Sequence, residues 1–165
     1  MRRLVIALGG VVILVVANVG IFQKQQLVDT GRVLLLELAP VDPRSLMQGD
    51  YMALRFRVAD EAFRSVDRET LQDGRLVLSV DDNNVGKFAR FDSGEALGPG
   101  EVVIRYRVRA GNPKFATNAF FFEEGTADAY ARARFGEFRV SPSGDAILTG
   151  MRGEKFEVLG SLEHR

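Results

Sequence analysis

The sequence predicts a β-rich (α+β) protein, with an N-terminal transmembrane helix and one compact domain of about eight to ten short antiparallel strands and two side-packed helices. Three observations predict it. Leu4 to Phe22 is apolar or Gly throughout except for Asn18. Tyr51–Val58 and Val102–Arg109 alternate apolar and polar residues, the period of two of a half-buried strand. Clusters of Asp, Asn, Gly, Pro and Ser recur between short apolar segments, where their side chains and backbone freedom suit tight turns.

Taken in order, residues 4–22 span roughly 28 Å at a helical rise of ~1.5 Å per residue, close to the hydrocarbon thickness of a bilayer. Arg2 and Arg3 precede the run and only Lys24 follows closely. The positive-inside rule therefore puts residues 1–3 in the cytoplasm and the rest outside. In a bacterium that describes a single-pass inner-membrane protein with a periplasmic domain. Val15-Val16-Ala17 offers a signal peptidase small or branched residues, but the apolar run continues past Ala17 and exceeds the ~7–15 residues of a signal-peptide core. A retained anchor is expected. Residues 23–31 read as a polar spacer or as a continuation of the anchor helix, and residues 32–165 as the exported domain.

Within that domain Val33–Leu38 reads as a buried strand, and Tyr51–Val58 as a half-buried one with Leu54, Phe56 and Val58 opposed to Arg55 and Arg57. Ala59–Gln72 changes to helical spacing, with Asp60 as a cap and Gly74 as a stop. Arg75–Val80 and Val85–Phe91 form a hairpin around Asp81-Asp82-Asn83-Asn84. Gly94–Gly100 is a loop. In Val102–Arg109 the residues Val102, Ile104, Tyr106 and Val108 oppose Val103, Arg105, Arg107 and Arg109. A return through Gly111-Asn112-Pro113 leads into a strand over Phe115–Phe122. Thr126 is placed to cap an Ala-rich helix over Ala127–Arg134. Phe135–Val140 and Ala146–Leu148 make a last hairpin, and Phe156–Leu159 closes the chain.

Composition narrows the function classes. There is no cysteine, so no disulfide framework, zinc–thiolate site or thiol nucleophile is available. Lys+Arg and Asp+Glu are equal at 22 each, and leaving out Arg2 and Arg3 makes the remainder slightly acidic. That balance argues against a general nucleic-acid binder, which needs surplus positive charge. The single histidine is His164, next to the last residue, so a Ser-His-Asp triad or a His-rich metal site has no material. No cofactor and no metal are expected. Asp81-Asp82-Asn83-Asn84 lacks the ligand alternation and distal Glu of a calcium loop and reads as a turn.

The densest motif is Pro40-Val41-Asp42-Pro43-Arg44-Ser45-Leu46-Met47-Gln48-Gly49-Asp50-Tyr51-Met52-Ala53-Leu54-Arg55-Phe56. The prolines hold an extended corner, Gly49 supplies a position that a β-carbon would block, and Asp50 can accept hydrogen bonds from loop amides. Tyr51, Leu54 and Phe56 then enter the core or line its edge. This is first a folding corner that sets register. If it is also a binding loop, Asp42 and Arg44 are its polar edge. The segment resembles the signature of the bacterial GDYXXLXY family, membrane-anchored proteins without an assigned activity. Gly49, Asp50, Tyr51 and Leu54 match, with Phe56 in place of the final Tyr. The resemblance extends to Phe122-Glu123-Glu124-Gly125 before a helix and to Gly136-Glu137-Phe138-Arg139-Val140 with its closing hairpin. It implies an anchored protein that accompanies a multi-pass membrane partner.

Two function classes follow. The preferred one is a non-catalytic binding or accessory module at the inner-membrane bilayer, working with an integral membrane protein. Asn18 favours it slightly, since an amide within an apolar helix is often satisfied by another helix. Arg105, Arg107 and Arg109 are its candidate contacts for anionic lipid headgroups or an acidic partner, unless they are a solvated face balanced by Asp and Glu. The alternative is a membrane-tethered hydrolase using carboxylates or a Ser-based site. The Pro43…Gly49-Asp50 spacing is similar to a strand of type I signal peptidases, but Pro40 stands where their nucleophile would be. Ser45 would then be the hydroxyl and Lys87 or Lys114 the base. Glu123, Glu124 and Gly125 are secondary candidates, better explained as acidic residues and a turn before a helix N-terminus.

Overall fold

The apolar run is helical, and the helix does not stop where the apolar residues do. In the computed structural model, which describes residues 2–39, 51–67, 71–109, 111–117 and 119–160, with side chains from residue 9 onward, α1 covers Arg2–Thr30. The stretch expected as spacer or helix continuation is the latter: Gln23–Thr30 carries the helix about 12 Å beyond Phe22. Its end is held on the domain. The Gly31 amide donates to the Leu27 carbonyl at 2.9 Å, and Arg139 Nη1 donates to the Gly31 carbonyl at 3.2 Å. A β-carbon at Gly31 would collide with the Leu27 carbonyl and sit 3.0 Å from Arg139 Cβ. Asn18, expected to look outward for a partner, donates its amide to the Leu14 carbonyl of its own helix at 2.8 Å.

Among the described residues ten strands follow: β1 (Arg32–Glu37), β2 (Tyr51–Ala53), β3 (Gly74–Val80), β4 (Gly86–Phe91), β5 (Glu101–Arg109), β6 (Asn112–Lys114), β7 (Ala119–Phe121), β8 (Phe135–Val140), β9 (Ala146–Arg152) and β10 (Val158–Leu159). Two short helices accompany them there, α2 (Arg57–Ala62) and α3 (Ala127–Tyr130). All ladder pairs are antiparallel: one sheet has the order β1-β8-β9-β10, another β4-β3-β5-β6, and β2 pairs with β7. The two large sheets are pinned at two edges. The Leu35 amide donates to the Asn84 carbonyl, and the Arg105 amide to the Gly144 carbonyl, both at 2.8 Å.

The core lies between them. Leu34 and Leu36 of β1, Leu76 and Leu78 of β3, Val102, Ile104 and Tyr106 of β5, Phe138 of β8 and Met151 of β9 are all buried together. Burying such side chains contributes roughly 1.5–3 kcal/mol each. Phe56, only 2% exposed, meets Phe138 edge-on at 5.4 Å and Phe115 at 6.4 Å. The Tyr106 phenol is pushed above its ordinary value of 10.0, first by burial and then by the charge of Asp73.

Both hairpins, the Gly94–Gly100 loop and β5 match the expected elements, and four others differ. The strand expected over Tyr51–Val58 is regular only to Ala53. Its alternation nevertheless holds, because Met52, Leu54, Phe56 and Val58 are buried while Arg55 and Arg57 are exposed. Phe56 stays extended (φ −109°, ψ 135°) and bridges Leu38, and α2 begins at Arg57. The helix expected over Ala59–Gln72 is therefore earlier and shorter, and Thr70 lies outside the described residues. Asp60 does not cap it; its carboxylate takes Arg55 at 2.7 Å. Gly74 opens β3 instead of ending a helix, since a β-carbon there would sit 2.7 Å from the Tyr106 hydroxyl.

The strand expected over Phe115–Phe122 is split, with Phe115 driven into the core and Ala116 at φ +51° between β6 and β7. The helix expected over Ala127–Arg134 is a single turn. Thr126 does not cap it, because its hydroxyl donates to the Glu123 carbonyl at 2.6 Å.

Candidate functional site

The outward face of β5 carries Arg105, Arg107 and Arg109, spaced two residues apart and so about 7 Å from one another along the strand. All three are exposed. The return expected through Gly111-Asn112-Pro113 is tighter than that: Asn112 and Pro113 already belong to β6 and pair with Arg109 and Val108, a register that sets Lys114 directly opposite Arg107. On the other edge of β5, Arg75 of β3 stands directly opposite Arg105. Like charges opposite one another in an antiparallel pair are destabilising by a few tenths to about 1 kcal/mol.

The two pairs are treated differently. Arg75 binds Asp92 at 2.7 Å and Arg105 binds Asp145 at 2.9 Å, so that pair is neutralised on both sides. Among the described residues, neither Arg107 nor Lys114 has a carboxylate within salt-bridge distance. Arg109 makes only a 3.9 Å approach to Asp73, whose Oδ1 is occupied at 2.6 Å by the Val108 amide.

Arg105, Arg107, Arg109 and Lys114 line an open groove of about 770 Å³ together with Lys24. Among the described residues Asp145 is its only lining carboxylate. The wall on one side is the start of β9, and on the other β7 with Phe120 and Phe121. The β9 wall is held by the turn before it. Gly144 sits at φ +88°, a conformation suited to glycine, and a β-carbon there would sit 3.2 Å from the Arg105 amide nitrogen. Lys24 is the one cation contributed by α1, two residues beyond the end of the apolar run.

The motif reaches this groove from behind. β2 pairs with β7 in the register Tyr51↔Phe121, Met52↔Phe120 and Ala53↔Ala119, and the Tyr51 and Phe121 rings lie 5.9 Å apart. Phe121 is 74% exposed. Leu54 and Phe56 are core residues, so the position where the family signature ends in Tyr is a buried ring site here. Asp42, Pro43, Arg44, Gly49 and Asp50, with Ser45, lie outside the described residues, as does His164. Glu123 and Glu124 are exposed, and Gly125 takes φ +81° in the turn before α3. Glu123 lines a separate cleft with Phe122, Tyr130 and Arg132. Asp81 does serve a turn: its Oδ1 accepts the Asn83 and Val85 amides at 3.0 and 2.9 Å.

Elsewhere some arginines are paired with carboxylates, while Arg32 and Arg139 donate to backbone carbonyls. Arg57 meets Glu37 at 3.2 Å and Arg152 meets Glu137 at 2.5 Å. Arg90 holds Glu101 at 2.6 Å, and this bond with the Gly98 amide keeps the Glu101 carboxyl below its ordinary value. No group of three or more His, Cys, Asp or Glu residues able to hold a metal occurs among the described residues.

Sequence reasoning missed Lys24 and Lys114 as members of the basic groove. For Lys114 the signal was present, because a tight return at Gly111 pairs Asn112 with Arg109 and so brings Lys114 to Arg107. For Lys24 and Asp145 no local signal exists, since both are brought in by tertiary packing.

The family model described as GDYXXLXY protein matches residues 13–151, and the chain belongs to that family. No curated protein and no solved structure matches it.

Proposed function

From this membership we propose that the chain is a bacterial envelope protein held in the inner membrane by α1, with its N-terminus in the cytoplasm and its domain in the periplasm. It works there as a non-catalytic binding or accessory module beside an integral membrane partner. The observation that carries this reading is the unbroken α1. The helix is long and apolar enough to cross a membrane, its apolar span is not buried against the rest of the chain, and it continues to Thr30 before turning at once into β1. A domain joined in this way keeps one orientation to the bilayer. An enzyme for soluble substrates is indifferent to such orientation, whereas a module that must meet something in the same membrane depends on it.

The test uses the absence of cysteine, which allows clean single-site labelling. A photo-crosslinker at Asn18, in native membranes, is expected to yield one discrete adduct with an integral membrane protein, and the chain is expected to stay in the membrane after carbonate washing. Release of a mature chain beginning near Asn18 would overturn the anchor. A turnover signal abolished by Ser45→Ala, or by Glu123→Ala with Glu124→Ala, would overturn the non-catalytic reading.

A further inference from the structure

We propose that the groove beside β5 is a binding site for the phosphate of an anionic phospholipid headgroup, with Arg107 and Lys114 as the pair that holds it. The proposal rests on α1 spanning a bilayer. Its first support is the uncompensated cross-strand pair. The chain neutralises Arg75 and Arg105 with two carboxylates, yet two residues further along the same strand it sets Arg107 against Lys114 with none in reach among the described residues. A phosphate between the two would supply the missing charge through charge-assisted hydrogen bonds. The second support is local surplus: among the described residues five cations line the groove against one carboxylate, in a chain whose overall charge is balanced.

Depth selects the lipid over a soluble anion. Lys24 follows the last apolar residue of the span by two positions, about 3 Å along the helix axis, so a groove that includes it opens at headgroup level. Phe121, the most exposed aromatic ring of the domain, lines the same groove. A ring of that kind at the membrane surface can lie against the glycerol and upper acyl region while the cations hold the phosphate. An acidic protein segment would use the cations but not the ring or the depth.

The test is a titration of the full chain in neutral detergent with short-chain phosphatidylglycerol and phosphatidylcholine, bound lipid being counted by native mass spectrometry. Saturable binding of phosphatidylglycerol is expected, at least about tenfold tighter than phosphatidylcholine and weakened as salt rises from about 50 to about 500 mM. Each cation removed near an anionic surface costs about fivefold, so Lys24→Gln with Arg107→Gln and Lys114→Gln should weaken it about a hundredfold. Arg75→Gln, on the same face but outside the groove, should leave binding unchanged, and Arg107→Lys should retain most of it.

Equal binding of both lipids, or a triple variant that melts like the parent and still binds phosphatidylglycerol as well, would overturn the proposal. So would competition by inorganic phosphate at equal concentration, which would make the ligand a free anion, or displacement by polyglutamate, which would make it an acidic segment. If the chain prefers phosphatidylglycerol but is washed from membranes by carbonate, the anchor reading fails on its own. If it resists carbonate but shows no preference, the lipid site alone fails.

Discussion

β5 carries two like-charge cross-strand pairs, and only one of them is neutralised. Arg75 and Arg105 each have a carboxylate at hydrogen-bond distance, and Asp92, with its side chain 7% exposed, also accepts the Gly94 amide. Arg107 and Lys114 share a register position with no such relief. The two pairs have the same chemistry and the same strand beneath them. They differ in what the neighbouring loops deliver: the turn after β4 brings Asp92 and the turn after β8 brings Asp145, while β7 brings Phe120 and Phe121. The first pair is built as structure. The second is left open beside Phe120 and Phe121, where the apolar run of α1 has given way to Lys24.

The comparison is broken most severely by removing Asp92. Asp92→Ala strips a nearly buried carboxylate from Arg75 and from the Gly94 amide, and hydrogen bonds to charged groups are worth about 1.5–3 kcal/mol. Chemical denaturation should register a loss of that order. Little loss would mean that the neutralised pair does not need its partner. The opposite sign is expected at the open pair. Lys114→Gln removes a directly opposed like charge and should stabilise the domain by about 0.2–1 kcal/mol, more at low salt than at high. A destabilised variant would contradict the repulsion on which the open pair is argued.

The smallest effect concerns Glu101, whose carboxyl is held below its ordinary value of 4.5 by Arg90 and the Gly98 amide. A depressed folded-state value stabilises the fold above 4.5, and that contribution fades as pH falls through the lowered value. Glu101→Gln should flatten the acid limb by lowering stability near neutrality, where the carboxylate is charged, while leaving it nearly unchanged at pH below the lowered value. An unchanged acid limb would remove the link.

Much of the fold was legible because burial writes itself into alternation. Val102, Ile104 and Tyr106 opposing Arg105, Arg107 and Arg109 described the faces of β5, although Val103 on the arginine face is buried as well, and Asp81-Asp82-Asn83-Asn84 described the turn between β3 and β4. Alternation failed to distinguish a laddered strand from an extended segment, which is why Leu54 and Phe56 were assigned to the right face of an element that ends at Ala53. Helix lengths failed for a related reason. Ala59–Gln72 and Ala127–Arg134 carry helical propensity, but isolated turns of helix are marginal without packing, and the rings of Phe115, Tyr106 and Phe138 claimed the chain on either side.

The candidate site divides in the same way. By its residues alone the chain determined the apolar span, the family signature, the inward and outward faces of β5 and the arginine row on the outward one, because each depends on neighbours close along the chain. Only the tertiary structure decided that Lys24 joins that row, that Asp145 neutralises Arg105 while no carboxylate among the described residues reaches Arg107, and that the motif strand backs the same groove through β7. Those contacts join residues far apart along the chain, and the balance of charge at a surface is set by which loops packing brings together.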